Sequence, residues 1–485
     1  MTSPPTSTEA GRWEPVIGLE VHCELRTETK LFCGCRNAFG DEPNTNVCPV
    51  CLGLPGSLPV LNAMAVEFAM RIGTALHCQI RPSLFHRKNY FYPDMPKDYQ
   101  ISQYDEPINV NGFLELPDGS RVGVERAHME EDTGKTTHVG GGGRIHDAEH
   151  SLVDYNRAGV PLVEIVSRPD IRSAAQARLY AAELRGILIA TGASDGRMEE
   201  GSMRVDANVS VRHPDDELGT RCEIKNLNSL RSLVRAIEYE ITRQIDVLES
   251  GGTVLQQTRH WDEDKGKTGA LRSKEEAFDY RYFPEPDLVR VVPDAAWQAD
   301  VAAAVGAMPA DRRASLAALL GADGTSGART DQISTVVEHG LDDLMTAAVD
   351  RGIGAALVLA RTANEASAEP ERARALDPGA YTALLRMEQD GTLSATQAKV
   401  VLGDLLENGG DPADLARNRG YEALAADSLA EVIGDLIAAH PDEWERYVGG
   451  DDKKMAGFFT GLAMQATNKK ANGKAVAAEL QRRRG

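Results

Sequence analysis

Apolar and polar residues alternate with a period of two in several short stretches of the first 295 residues. In Ile17-Gly-Leu-Glu-Val-His-Cys-Glu-Leu25, Ile17, Leu19, Val21, Cys23 and Leu25 fall on one face, and Gly18, Glu20, His22 and Glu24 on the other. Successive side chains of a strand point to opposite faces, so this predicts a β-strand with an acidic, imidazole-bearing side. The longest clean alternation, Met203-Arg-Val-Asp-Ala-Asn-Val-Ser-Val-Arg212, sets five apolar residues against Arg204, Asp206, Asn208, Ser210 and Arg212. Loops rich in Gly, Pro and Asn separate these runs. From about residue 296 the chain becomes alanine-rich, as in DAAWQADVAAAVGAMPADRRASLAALLG, with charges spaced as on solvated helix faces. Asn408-Gly-Gly-Asp-Pro412 breaks that helical sequence. The pattern predicts a domain of short strands and loops over 1–295, a helical domain over 296–407 and a helical tail over 411–485.

A chain of 485 residues is long enough for several cores. Its formal net charge of −20 argues against a general affinity for polyanions, so any nucleic-acid contact must be local. One such place is the end of the chain, where Lys469, Lys470, Lys474, Arg482, Arg483 and Arg484 face only Glu479 within residues 468–485. Those cations either touch phosphate or complement a helix C-terminus. There is no long apolar run and no basic-then-apolar leader, so a cytoplasmic protein is expected.

Seven cysteines include four within residues 33–51, as Cys33-Gly-Cys35, twelve residues, then Cys48-Pro-Val-Cys51-Leu-Gly. Two thiol pairs on tight turns can converge on tetrahedral Zn²⁺, and the second has the form of a zinc-ribbon knuckle. Structural zinc is the expectation. Cys23, Cys78 and Cys222 are expected to be core thiols.

The segment Val122-Gly-Val-Glu-Arg-Ala-His-Met-Glu-Glu-Asp132 ends in three consecutive carboxylates, and Glu164 sits alone in the apolar run Val160-Pro-Leu-Val-Glu-Ile-Val166. A carboxylate in apolar surroundings needs a partner or a cation. Glu20, His22, Glu130 or Glu131, and Glu164 therefore make either a divalent-cation cage suited to Mg²⁺ or a set of separate salt bridges. The polar side of Met203–Arg212, with Glu223-Ile-Lys225-Asn226 and Arg272-Ser-Lys274 nearby in sequence, is either the floor of a polar cleft or ordinary exposed sheet. Phe85-His-Arg-Lys-Asn-Tyr-Phe-Tyr-Pro-Asp-Met-Pro-Lys97 interleaves aromatic and basic residues; it either stacks a base and holds phosphate or packs as a core strand with a polar rim. Two runs resemble the end of a phosphate loop, Gly134-Lys135-Thr136 and Gly266-Lys267-Thr268, but Met129 and Trp261 replace the required first glycine. No pattern for a Ser-His-Asp or Cys-His hydrolase is present.

Taken together, IGLEVHCEL, NTNVCPVCLGLPGSLPVLN, RKNYFYPDMPKDYQISQ, HMEEDTGKTTH, SLVDYNRAGVPLVEIVSRPD, GSMRVDANVSVR, EIKNLNS, LRSKEEAFDYRYFPEPDL and GFFTGLAMQATNKKANGKAV resemble the B subunits of bacterial glutamyl/aspartyl-tRNA amidotransferases, in order and over almost the whole chain. The resemblance implies, for the first 295 residues, an α+β cradle like that of glutamine synthetase and guanidino kinases, built on a largely antiparallel sheet, then all-α helical and tail domains. It implies an ATP-dependent ligase that phosphorylates the side-chain carboxylate of Glu or Asp esterified to tRNA and amidates it. Ammonia would come through a channel from an amidase-type A subunit, with a small C subunit completing a heterotrimer. On this reading Glu20, His22, Glu130, Glu131 and Glu164 are catalytic, and Glu20, His22, Glu131 and Glu164 hold Mg²⁺. Cys33, Cys35, Cys48 and Cys51 hold structural Zn²⁺. ATP and the acyl phosphate would be met by Arg204, Asp206, Asn208, Lys225, Asn226, Arg272 and Lys274, and tRNA by Lys469, Lys470 and Lys474. A non-catalytic tRNA-binding scaffold is the alternative, and it predicts tRNA binding without ATP binding; a third reading is a free-standing zinc-containing ligase that uses free ammonia without partners.

Overall fold

The computed structural model describes residues 13–89, 91–140, 148–273, 280–321, 327–421, 426–450, 452–467 and 473–484. The chain divides into two compact units, Met1–Ala310 and Asp311–Gly485.

In chain order the first unit contains β1 (Glu14–Glu24), α1 (Ala63–Ala75), β2 (Gln79–Ile80), β3 (His86–Asn89), β4 (Tyr99–Ser102), β5 (Asn109–Glu115), β6 (Arg121–Glu131), β7 (Lys135–Val139), β8 (His150–Asp154), β9 (Pro161–Ser167), α2 (Ala174–Ala190), β10 (Met203–Arg212), β11 (Cys222–Leu227), α3 (Leu230–Glu249), β12 (Gln257–Asp262), β13 (Lys267–Ser273), β14 (Phe283–Pro284) and α4 (Ala295–Ala304). Twelve strands form one sheet with the order β13-β12-β11-β10-β1-β9-β6-β4-β3-β14; β5 pairs with both β6 and β2. Every pairing in it is antiparallel except β11 with β12. The expected α+β class and largely antiparallel sheet are therefore present. β7 and β8 make a separate hairpin, and the glycine run expected at its tip falls largely outside the described residues.

The strand alternation read from sequence decides which side is buried. Ile17, Leu19, Val21 and Cys23 of β1 are sealed in one core with Val205, Ala207 and Val209 of β10, Val163 and Ile165 of β9, and Ala127 and Met129 of β6. The same core takes apolar residues of α1, α2 and α3. Each fully buried aliphatic side chain contributes about 1.5–3 kcal/mol, which fixes strand register because a one-residue slip would turn the whole apolar set outward. The helices start where capping side chains satisfy free backbone donors: Asn62 accepts from the amides of Met64 and Ala65, Ser173 from Gln176 and Ser229 from Ser232. At Gly73 of α1 a Cβ would lie 1.9 Å from Asn109 Oδ1. Only glycine lets Asn109 tie the helix to the sheet through Ala69 O and Ala127 O, both of which accept from its Nδ2.

Two expected boundaries shift. The first unit runs past residue 295, because Val301 of α4 is 1 % exposed in the first core, with Trp297, Val305 and Met308 packed against it. The alanine-rich composition marks a helix here, and its apolar stripe belongs to the sheet domain. The second unit is helical and has two cores, one drawn from Leu316 to Ala416 and one from Leu429 to Leu480. Gly409 and Gly410, with φ of 65° and 99°, do end the helix Ala395–Asn408. The next helix, Pro412–Asn418, nevertheless returns to bury Ala416 in the same core, so this breaker is a turn inside a domain. Among the described residues no helix is long and apolar enough to cross a membrane.

Candidate active site

The side of the sheet opposite that core is polar, and its register assembles residues that lie far apart in sequence. His22 of β1 stands opposite Glu164 of β9 on one side and Arg204 of β10 on the other, while Glu164 stands opposite His128 of β6. His22 Nε2 lies 3.4 Å from Glu164 Oε2 and 3.7 Å from Glu130 Oε1, and Arg126 Nη2 lies 3.6 Å from Glu164 Oε1. One ligand atom each from His22, Glu130 and Glu164 falls within 4.8 Å of the other two.

Electrostatics in this cluster oppose one another. Burial disfavours the charged His22 ring, but its bond to Glu164 and the charges of Glu130 and Glu164 outweigh that and push it up to about 9. Burial and the neighbouring Glu164 raise Glu130 to about 7. Glu164 is held below the usual carboxylate range despite burial, by His128, His22 and Arg126. Burial pushes His128 down to about 4, and both of its ring nitrogens lack a hydrogen-bond partner. Two converging carboxylates and one imidazole fit a divalent cation such as Mg²⁺, which takes oxygen donors and leaves positions for water or phosphate.

Two of the expected cage members point elsewhere. Glu131 is the strand neighbour of Glu130, so pleating sends its carboxylate to the other side, where it accepts from Lys97 Nζ and from the Ile101 amide at 2.9 Å. Glu20 is on the polar side but two residues along, where Asn208 Nδ2 donates to it at 2.9 Å; burial, then Glu164 and Glu223, raise its pKa. The groups that converge are thus His22, Glu130 and Glu164.

The other predicted residues spread over the same face. Arg204 Nη2 donates to Asp132 at 2.9 Å, and Arg157 approaches the same carboxylate oxygen at 3.4 Å. Lys225 Nζ bridges Asp206 at 2.9 Å and Glu223 at 3.1 Å. The side chains of Asn226, Arg272 and Lys474, and the whole of Lys274, Lys469 and Lys470, lie outside the described residues. In the tail, Arg482 and Arg483 both bind Glu479, Arg483 also donates to Ala430 O, and Arg484 lies over the Tyr447 ring. Arg483 and Arg484 thus reach other helices of the tail, while Arg482 pairs within its own helix.

Sequence reading gave no role to His128 or Arg126, and named Asp132 and Glu223 only within their segments. The signal was available for the β6 members, since Arg126, His128, Glu130 and Asp132 alternate along one strand edge. The Phe85–Lys97 run divides between its two readings: Phe85 is buried and Arg87 pairs with Glu285, while Phe91 and Tyr92 are exposed.

The four clustered thiols also converge, with the sulfurs of Cys33, Cys35, Cys48 and Cys51 all within 4.8 Å of one another. Tetrahedral ligands at about 2.3 Å from zinc stand within that spacing. The Cys48 amide donates to Cys51 Sγ at 3.1 Å, and Leu52 N to Cys48 O at 3.1 Å, which closes the knuckle turn. A hydrogen bond from Cys33, with the Cys48 amide and the Lys30 charge, lowers Cys51 to about 5. Four converging sulfurs are a donor set of the kind that structural zinc takes. Of the remaining three, Cys23 and Cys222 are buried and Cys78 is half-buried.

Comparison with known proteins agrees with this layout. Residues 15–299 match the GatB/GatE catalytic domain family, and residues 353–483 match the GatB domain family. The chain is 47 % identical to the B subunit of the aspartyl/glutamyl-tRNA(Asn/Gln) amidotransferase of Frankia casuarinae, with 99 % of this chain and 98 % of the relative aligned. It is 49 % identical to the corresponding protein of Mycobacterium sp. (strain KMS), over 95 % and 94 %, and 46 % identical to that of Salinispora tropica, over 98 % and 97 %. The chain belongs to the family of aspartyl/glutamyl-tRNA(Asn/Gln) amidotransferase B subunits.

Proposed function

We propose that the polar side of the sheet is the phosphoryl-transfer site of a tRNA-dependent amidotransferase, forming the floor of a cradle of the glutamine synthetase and guanidino kinase kind. The γ-phosphoryl group of ATP passes to the side-chain carboxylate of Glu or Asp esterified to tRNA, giving an acyl phosphate and ADP. Ammonia then adds to the acyl carbon, phosphate departs with the bonding electron pair, and the nitrogen loses a proton to leave the amide.

Such a transfer needs alignment and charge compensation more than covalent help from protein. His22, Glu130 and Glu164 would hold Mg²⁺, which when bound neutralises phosphate oxygens. Lys225 and Arg204, each pre-set by a carboxylate, supply positive charge along the β10–β11 side, where Asp206 and Asn208 also meet ATP. Arg126, beside Glu164, keeps a cation next to the reacting carboxylate. The four thiols hold zinc as a brace for the loop that precedes α1. With no hydrolase pattern of its own, the chain takes ammonia from an amidase-type partner in a heterotrimer with a small third subunit, and the basic tail around Lys469, Lys470 and Lys474 contacts tRNA.

The observation that carries this reading is the convergence of His22, Glu130 and Glu164 on one polar sheet face in a chain of this family. The test is phosphate release from ATP by the reconstituted complex with ammonia, Mg²⁺ and misacylated tRNA, comparing wild type with Glu164→Gln. Loss of ATP cleavage with tRNA binding retained supports the site; full activity in the variant places the cation elsewhere. A wild type that binds tRNA and never consumes ATP is a scaffold.

A further inference from the structure

Phe91 and Tyr92 are adjacent in the loop between β3 and β4 and are 80 % and 53 % exposed. The phosphoryl chemistry proposed above gives them no task, and two neighbouring aromatic rings exposed to water point to a ligand. The strand that leads into them, β3, is joined to the site by a path of contacts that starts at Lys88. Lys88, three residues before Phe91 and so within about 10 Å of it along the chain, holds its Nζ 5.0 Å from the centre of the Tyr280 ring. Tyr280 meets Tyr282 edge-on at 6.1 Å, Tyr282 stacks on Tyr104 at 5.7 Å, and Tyr104 meets His128 edge-on at 6.0 Å. Charge accompanies the rings: in a chain of net −20, this path carries Lys88 and Arg126, the latter 4.6 Å over Tyr104.

Single-stranded nucleic acid is bound by such a combination, with rings that stack on successive bases and cations that follow the phosphates. ATP offers one base only, and the cations suited to its phosphates lie across the sheet at β10 and β11. We propose that Phe91 and Tyr92 form a stacking platform for the single-stranded 3′ end of the aminoacylated RNA, with Lys88 against its backbone. This rests on the function proposed above, and it names where the acceptor end enters the site.

The test measures binding of deacylated tRNA to the complete complex at fixed salt, with the RNA either intact or trimmed of its unpaired 3′ nucleotides. Wild type is expected to bind the trimmed RNA about tenfold more weakly. The double variant Phe91→Leu, Tyr92→Leu is expected to bind intact RNA as weakly as trimmed, to bind trimmed RNA like wild type, and to keep the wild-type KM for ATP. Phe91→Tyr with Tyr92→Phe should restore intact binding. Both side chains are exposed, so these changes leave the core alone. The platform is refuted by equal weakening toward both RNAs, by no weakening, by a selective loss of ATP affinity, or by loss of the partner subunits in place of RNA affinity. It is also refuted if trimming leaves wild-type binding unchanged. A wild-type complex without RNA binding or ATP-dependent amidation would defeat the underlying function itself; a competent wild type with an unaffected double variant defeats the platform alone.

Discussion

The thiol cluster and the acidic cluster are both sets of converging donor atoms, yet they are built in opposite ways. Cys33, Cys35, Cys48 and Cys51 come from one loop of 19 residues, and local turns bring them together. His22, Glu130 and Glu164 come from three strands, and only the register of β1, β9 and β6 brings them together. A locally built site stabilises the loop that makes it. A site spread over a sheet draws on stability supplied by the apolar core beneath, because it holds like charges close together.

The sharpest way to break that comparison is to remove one thiol. Cys51→Ser is expected to release bound zinc, measured by elemental analysis, and to lower unfolding free energy by several kcal/mol, since structural zinc can contribute about 10–16 kcal/mol. Next, Glu130→Gln should abolish ATP cleavage while making the metal-free chain more stable at high pH, by about 3 kcal/mol on the scale of 1.36 kcal/mol per pKa unit. The sign follows from Glu130 rising from 4.5 to about 7 on folding. The native state binds more protons, so stability is full below the unfolded pKa and is lost as pH rises through about 7. His22, raised from 6.5 to about 9, has the same sign and a higher window, with its contribution fading as pH rises toward 9. Thermal melting of wild type and variant in chelator, from pH 5 to 9, checks this: parallel curves would show that Glu130 does not titrate as described.

Glu131→Gln comes third. It breaks a buried pair with Lys97 and should cost about 3 kcal/mol or less in denaturant unfolding, while Mn²⁺ titration at the acidic cluster stays as in wild type. A lost Mn²⁺ site would return Glu131 to the cage. Smallest is Glu20→Gln, expected to shift that Mn²⁺ affinity by no more than about 0.5 kcal/mol, because its carboxylate is engaged by Asn208.

The same contrast explains what could be read from sequence. The convergence of the four thiols was legible because their spacing is the geometry. Strand faces were legible from alternation in β1 and β10, and so was the polar character of the site. Which of Glu130 and Glu131 faces inward was not legible, because pleating decides it and the phase of β6 is set by Ala127 and Met129 in the core. His128 was hidden among more conspicuous carboxylates, and it becomes notable only when its register partner is Glu164. Near 295 and 408 composition reports secondary structure; it does not report which core a helix joins. Val301 and Ala416 settle that question.

The central place of β1 has a consequence in time. Its partners β9 and β10 leave the ribosome about 150 and 190 residues after it, which at roughly 5–20 residues per second is a wait on the order of 10–40 s. During that wait an apolar strand edge has nothing to pair with. Nascent chains of this protein should therefore depend on a chaperone until β10 emerges, and the two sides of the proposed active site are assembled only after most of the first unit has been synthesised.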